Sequence, residues 1–528
     1  MELTPNLPQR IHFLGLGGAG VSGAARLLAA RGRTVSGHDR THSPFLDGLG
    51  ALGITVDVSA SCEEALPADA EVVVRSAAVP DADPQVRAAR ARGLPVLKYA
   101  QILGQLAAAG RTLGVAGTHG KTTTTWLLER ALVGAAGESG ARGASRPGAL
   151  DGAHAAARLG ALDGAHAAAR PGALDGAHAA ARPGALDGAH AAARPGALVG
   201  GTDLVYRSNA RVPDADGWFA LEACEYDRSF LCIDPFGAIV TNVEADHLDC
   251  YGDLAGVITG FARFAQSVHP DGLLVVGDDV PAAVEHAARC AVWRLGRELV
   301  FEHGLDAHGN ARFALRGPGF ALRAQLSIPG RVAAIDAALA AALALGVLPL
   351  EARAAAAPRV AASLATFKGT ARRFETWGRE GEIVVVHDYA HHPTELAATL
   401  ESARGAYRDR PIHVLFQPHQ HSRTAHFLAE FAAVLATADR AVVTDVYGAR
   451  VHIDGEHFAG AAELAAAARG CGGDVEHIAN LSESARRFAK QLPPRALALV
   501  LGAGDVENVK DELLRHLPVR VHATSAAR

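Results

Sequence analysis

The stretch GVAGTHGKTTTTWLL occupies positions 114–128. A short apolar run from Thr112 to Ala116 reads as a strand, and TTTTWLLERALVG reads as a helix. Between them the chain turns through Gly117, Thr118, His119 and Gly120 before Lys121. A glycine turn from strand to helix aims backbone N–H groups at an anion, and the helix dipole reinforces them. A lysine at its end adds a point charge for phosphate, and the next hydroxyl can sit on Mg²⁺. The chain has only five lysines (Lys98, Lys121, Lys368, Lys490 and Lys510), so one spent here carries weight against a coincidental glycine turn. The spacing departs from the strict GxxxxGK[ST] pattern, whose first glycine would fall on Val115. The expectation is a nucleotide-phosphate loop formed by Gly117, Thr118, His119, Gly120, Lys121, Thr122 and Thr123, with ATP as the ligand and Thr122 on the metal.

Strand–helix alternation continues on both sides and predicts an α/β protein of three domains. Residues 1–107 are expected to form a Rossmann-like domain, with strands in IHFLGLGG, TVSGHD, EVVVRSAAV and LPVLKY. Residues 108–366 form a central P-loop ATPase-type domain, with GWFALEAC, GAIVTNV and GLLVVGDD as strands and an alanine-rich helix near 332–345. Residues 367–528 form a second Rossmann-like domain. A length of 528 residues suits about three cores. The net charge of −5 offers no basic stripe for nucleic acid. No leader-like start and no long uninterrupted apolar run are seen, so a cytoplasmic protein without a membrane span is expected. The six scattered cysteines contain no CxxC pair and read as reduced thiols.

GLGGAGVSG at 15–23 also follows a strand and opens a helix. Gly15, Gly17 and Gly20 satisfy GxGxxG, and Asp39 ends the next strand. A nicotinamide dinucleotide would fit, as would any other diphosphate, including that of a UDP-sugar. Two nucleotide loops in one chain favour a transferase or ligase over a dehydrogenase. Acids then cluster after two central strands, in FALEACEYDRSF and IVTNVEADHLDCYG. Glu222, Glu225, Asp227, Glu244, Asp246, His247 and Asp249 are candidates for holding Mg²⁺, which takes only one or two protein carboxylates.

From Arg146 the unit RPGALDGAHAAA repeats with a period of 12 through Ala193, and a partial copy begins at Arg194. Pro-Gly in every unit but the second, where Leu159 replaces proline, stops helix propagation, and so few large apolar residues per unit bury little. A mobile low-complexity insertion in the central domain, at about 140–198, is expected. Its four histidines (His154, His166, His178 and His190) read as repetition rather than a metal site.

GTHGKTTTT, EACEYDRSF, TNVEADHLD, FKGTARRF, HDYAHHPTE and FQPHQHSRT, in this order, resemble the motifs of the Mur ligases, and IHFLGLGGAGVSG is similar to their N-terminal diphosphate loop. The resemblance covers nearly the whole chain outside the repeat. It implies a three-domain, ATP- and Mg²⁺-dependent amide-bond ligase acting on UDP-N-acetylmuramate and L-alanine through an acyl phosphate, as a monomer or weak homodimer. It implies that Lys121, His247 and Arg373 are catalytic. Thr122, Glu222 and His247 would serve metal, and Asp388 the ATP ribose. Gly15, Gly17, Gly18, Ala19, Gly20 and Asp39 would lie at the UDP diphosphate. Tyr389, His391, His419 and Arg423 would line the alanine pocket, with Arg423 as a bidentate partner for its carboxylate. The alternatives are a relative that adds a whole tripeptide to the same UDP-sugar, and a catalytically weak nucleotide-binding homologue. The Gly17-Gly18-Ala19-Gly20 run favours alanine addition. The chain departs from the family's PGRHNxxN segment, which reads PGRVAAID here and puts Val332, Ala333 and Asp336 where adenine-facing polar residues are usual. Cys224 and Tyr226 are also unusual, and Arg75 reads as a surface substitution for serine.

Overall fold

The computed structural model describes residues 7–59, 66–137, 193–448 and 460–518. Three parallel-rich sheets follow one another along the chain, as the strand–helix alternation predicts. The first has strands β1 (Arg10–Leu14), β2 (Thr34–Asp39), β3 (Thr55–Val58), β4 (Val72–Arg75) and β5 (Val96–Lys98), in the order β3-β2-β1-β4-β5. All its pairings are parallel. The helix Ala19–Ala30 leaves the glycine loop after β1.

The central sheet has seven strands: β6 (Arg111–Ala116), β7 (Gly196–Asp203), β8 (Ser208–Arg211), β9 (Trp218–Glu222), β10 (Gly237–Val240), β11 (Leu273–Val276) and β12 (Ala291–Arg294). Their order is β12-β11-β10-β6-β9-β7-β8. Strands β6, β9 and β10 lie side by side and parallel, so their C-terminal ends open at one edge of the sheet. The helix Lys121–Ala136 is buried almost all round, as is the helix Arg331–Gly346 packed against it. Alanine on the second helix lets the two approach closely, and Trp126 fills the core while its indole N–H donates to Gly201 O at 2.8 Å.

Two features of this domain depart from expectation. A separate antiparallel sheet of β13 (Val300–Leu305), β14 (Asn310–Gly317) and β15 (Phe320–Pro329) covers the alanine-rich helix. The insertion's expected edge at about 198 is also too late. Gly196–Leu198, part of the last partial repeat, already form β7 and pair with β9, because the sheet supplies hydrogen bonds that the repeat pattern does not reveal. The complete repeat copies at 146–193 lie outside the described residues apart from Ala193.

The third sheet runs β16-β17-β21-β18-β19-β20, from β16 (Glu375–Glu380), β17 (Ile383–Asp388), β18 (Ile412–Phe416), β19 (Arg440–Val443), β20 (Val475–His477) and β21 (Leu497–Leu501). Only β16 is antiparallel. Arg75 is a correction: it is buried, and its guanidinium holds Val79 O and Asp81 in the loop after β4. Among the described residues no helix is long and apolar enough to cross a membrane.

Candidate active site

The phosphate loop is fixed by backbone that only glycine adopts easily. Gly117 has φ +145°, and a Cβ there would lie 1.8 Å from Thr241 Oγ1. Gly120 caps the helix at φ +82°. The segment after β10 clamps the loop: the Thr241 hydroxyl donates to His119 O at 2.6 Å, and His119 N–H donates to Asn242 Oδ1 at 2.9 Å. Lys121 Nζ donates to Gly117 O (2.6 Å) and Thr118 O (3.0 Å) and pairs with Glu225 at 2.9 Å. Burial, the largest influence, would lower the lysine pKa, but Glu225, Cys224 and Glu222 together turn the shift upward, so the charge is kept. The Thr122 hydroxyl donates to the Glu222 carboxylate at 3.1 Å, and Gly200 N–H donates to Glu222 Oε2 at 2.6 Å. A threonine hydroxyl and a carboxylate at the end of β9 make a hard-oxygen pair that fits Mg²⁺.

The C-terminal domain closes the other wall. Arg373 lies in a turn flanked by Arg372 at φ +63° and Phe374 at φ +49°. Asp388 anchors this turn by accepting Phe374 N–H and Ala390 N–H, each at 2.8 Å. Burial pushes the Asp388 carboxyl up to about 6, with Arg373 opposing. The Arg373 guanidinium lies 5.1 Å from the Tyr389 ring centroid and 3.7 Å from Glu395 Oε1. Between the walls is a cleft of about 480 Å³ lined by Gly120, Thr123, Asn242, Val332, Asp336, Arg373 and Asp388, among others.

Beside this cleft the domains are tied by charge. Arg423 Nη2 donates to Asp246 Oδ1 at 2.6 Å, and its Nη1 lies 3.3 Å from His419 Nδ1. The arginine is buried, with these two contacts on its fork. Burial would raise the Asp246 pKa, but Arg423 holds it well below the usual carboxylate range. The rings of Tyr389, His391 and His419 follow in sequence, with centroids 5.4 and 5.5 Å apart. His247 has φ +52°, and its Nε2 is 3.6 Å from Glu225 Oε1. Burial lowers its pKa. Of the nine non-glycine residues at positive φ among the described residues, six (Asp227, Arg228, His247, Arg372, Phe374 and Gln420) border this region, as expected of a site held under strain.

The N-terminal glycine loop does not line this cleft. Gly15 has φ +75°, and Gly17 N–H donates to Asp39 Oδ2 at 2.8 Å. Asp39 therefore braces the loop formed by Gly15, Gly17 and Gly18. A Cβ on Gly20 would meet Tyr99 Oη at 2.6 Å, so this glycine serves helix packing. The Asn209 amide of β8 donates to Ala19 O at 2.5 Å, which joins this loop to the central domain.

Sequence reasoning missed Glu395, His392 and Thr394. Pro393 at the first helical position and Glu395 two residues on mark a helix start, and that signal was available in HHPTE. Glu395 accepts from His391 N–H at 2.9 Å and lies 3.2 Å from His119 Nδ1, across the domain boundary.

Family models match along the chain: Mur ligase family, catalytic domain, at 10–111; Mur ligase middle domain at 210–344; and Mur ligase, glutamate ligase domain, at 372–504. The chain is 35% identical over 98% of its length to a protein of Saccharopolyspora erythraea named UDP-N-acetylmuramate–L-alanine ligase, covering 95% of that protein. It is 37% identical over 94% of its length to a protein of the same name from Acidothermus cellulolyticus, covering 92% of it. The fold matches a Thermotoga maritima UDP-N-acetylmuramate-alanine ligase with a TM-score of 0.71 at 22% identity, over 96% of this chain and 98% of that one. With three domain models matched in order and relatives aligned nearly end to end, the chain belongs to the Mur ligase family.

Proposed function

We propose that this chain joins L-alanine to UDP-N-acetylmuramate at the expense of ATP, in the synthesis of peptidoglycan precursors. The observation that carries the reading is the cleft in which Gly120 and Thr123 of the phosphate loop, the loop that also carries Lys121 and the Thr122–Glu222 pair, face Arg373 and Asp388 of another domain. The names of the full-length relatives supply the substrates.

The sugar carboxylate attacks the γ-phosphate of ATP to give an acyl phosphate, and ADP leaves as the bond to the β,γ-bridging oxygen breaks. The alanine amine then attacks the acyl carbon, and phosphate leaves from a tetrahedral intermediate. This chemistry needs positioning and charge neutralisation rather than a protein nucleophile. Lys121 and the helix N-terminus receive the phosphates, and Arg373 meets the transferring group. Thr122 and Glu222 would hold Mg²⁺, which when bound neutralises phosphate oxygens. His247, beside Glu225, offers a further nitrogen donor to metal or substrate. Tyr389, His391, His419 and Arg423 line the amino-acid pocket. Asp388 orients the Arg373 turn and faces the ribose.

The test is the mass of the UDP-linked product after incubation with ATP, Mg²⁺, UDP-N-acetylmuramate and L-alanine. A gain of one alanyl residue is expected. An unchanged UDP-sugar, or extension only when a tripeptide replaces alanine, would overturn the reading.

A further inference from the structure

A second set of metal-type donors lies at the seam of the central and C-terminal domains, apart from the Thr122–Glu222 pair. His119 comes from the phosphate loop, Glu244 from the loop after β10, and His392 from the residue before the helix Pro393–Ala406. One ligand atom from each lies within 4.8 Å of the other two. His119 Nε2 is 3.6 Å and His392 Nδ1 is 3.8 Å from the same oxygen, Glu244 Oε2. Donors about 2.0–2.1 Å from a tetrahedral ion stand roughly 3.4 Å apart, so the two nitrogen–carboxylate distances need to shorten by a few tenths of an ångström and the nitrogen–nitrogen distance by up to about 1.4 Å.

The surroundings orient these donors as they are oriented in metal centres. His119 Nδ1 lies 3.2 Å from Glu395 Oε1, a carboxylate contact that holds the ring with Nε2 toward Glu244. That Nε2 is buried without a hydrogen-bond partner. The His392 side chain is only 4% exposed, and its Nε2 is likewise unpartnered. Glu244 Oε2 also accepts from Thr394 Oγ1 at 2.8 Å, which fixes the carboxylate. Of the two nitrogens that face Glu244, His119 Nε2 is the unmet one, while His392 Nδ1 also accepts from Thr394 N–H at 3.4 Å; an unmet buried nitrogen facing a carboxylate is costly and points to a ligand. Two imidazoles and one carboxylate suit a borderline ion, whereas Mg²⁺ prefers oxygen alone.

We propose that His119, Glu244 and His392 bind one divalent transition-metal ion, Zn²⁺ foremost, that bridges the central and C-terminal domains. The ion takes two donors from one domain and one from the other, so it ties the two walls of the cleft together. The site stands on its own geometry and does not depend on which substrates the enzyme uses.

The test is Zn²⁺ titration of the full-length, chelator-treated protein by calorimetry, without nucleotide and with millimolar Mg²⁺ present to fill oxygen sites. The expected result is one Zn²⁺ per chain, with Co²⁺ as a substitute giving the visible absorption of tetrahedral coordination. His392→Gln and Glu244→Gln should each weaken Zn²⁺ binding at least tenfold. Glu244 is 31% exposed, so Glu244→Gln keeps the fold and preserves the test if His392→Gln does not. A variant with asparagine at His154, His166, His178 and His190 should keep the single tight site. No Zn²⁺ uptake in the presence of Mg²⁺, unchanged affinity in Glu244→Gln, or loss of the tight site with the four asparagines would overturn the proposal.

Discussion

Asp336 carries the chain's sharpest chemical departure from its family. It is buried on the helix Arg331–Gly346, and its Oδ1 lies 2.9 Å from where a Cβ on Gly120 would be. Burial pushes its carboxyl up to about 7, well above the usual carboxylate range. The folded state therefore holds this proton between about pH 4 and pH 7 while the unfolded chain releases it. Stability contributed by the neutral form is present below about pH 4 and is lost as pH rises through 7. Asp336→Asn should raise the thermal midpoint at pH 8, by roughly a few kcal/mol of stability at most, and leave it unchanged near pH 4. Melting curves across that range check this. Lys121 and Arg373 test the chemistry instead. Replacing either with alanine should cut ligation at least about 10²-fold, and Lys121→Ala, which strands the buried Glu225, should also lower the melting midpoint. Substantial ligase activity in either variant would remove it from the reaction.

The strand–loop–helix unit from β6 to Ala136 was legible because each part has a local signature: an apolar strand, a glycine turn and a lysine at the helix start. Its glycines make it brittle. Gly117→Ala would drive a Cβ into Thr241 Oγ1, so it should abolish nucleotide binding, whereas Gly32→Ala meets nothing within 4 Å of the new Cβ and should leave binding intact despite some strain from its φ of +80°. Equilibrium binding of a labelled ATP analogue to both variants decides it. The antiparallel sheet β13–β15 was also written in the sequence, since Phe320–Leu326 alternates buried and exposed residues, but no chemical motif drew attention to it. Other features were not legible. Arg75 looks like a surface residue until its loop folds over it. The Arg423 fork looks free until Asp246 approaches from another domain. Glu395 gains its partners only when His119, His391 and Arg373 converge on it. Long-range contacts of this kind leave no periodic trace in a single chain.

Across the molecule, the C-terminal domain is held to the central one by a few polar ties: Arg423 to Asp246, Thr394 to Glu244, and Glu395 to His119. Arg372 also reaches the N-terminal domain, with its guanidinium 5.3 Å from the Phe45 ring centroid. Removing one partner of a buried ion pair is costly because the other charge is stranded. Asp246→Ala should therefore raise the KM for L-alanine at least about tenfold, as Arg423 loses its anchor. Steady-state kinetics with alanine varied checks this. Deleting Arg146–Ala193 should leave turnover within a few-fold, since no residue of the candidate site lies in that stretch, and loss of activity would give the repeat a role. The central claim is that one cleft couples ATP cleavage to amide formation. Its most direct test is phosphate release from ATP with UDP-N-acetylmuramate, with and without L-alanine. The account predicts sustained release only when both substrates are present, with one phosphate formed per alanylated product. Sustained release without either substrate, or none when both are supplied, would contradict it.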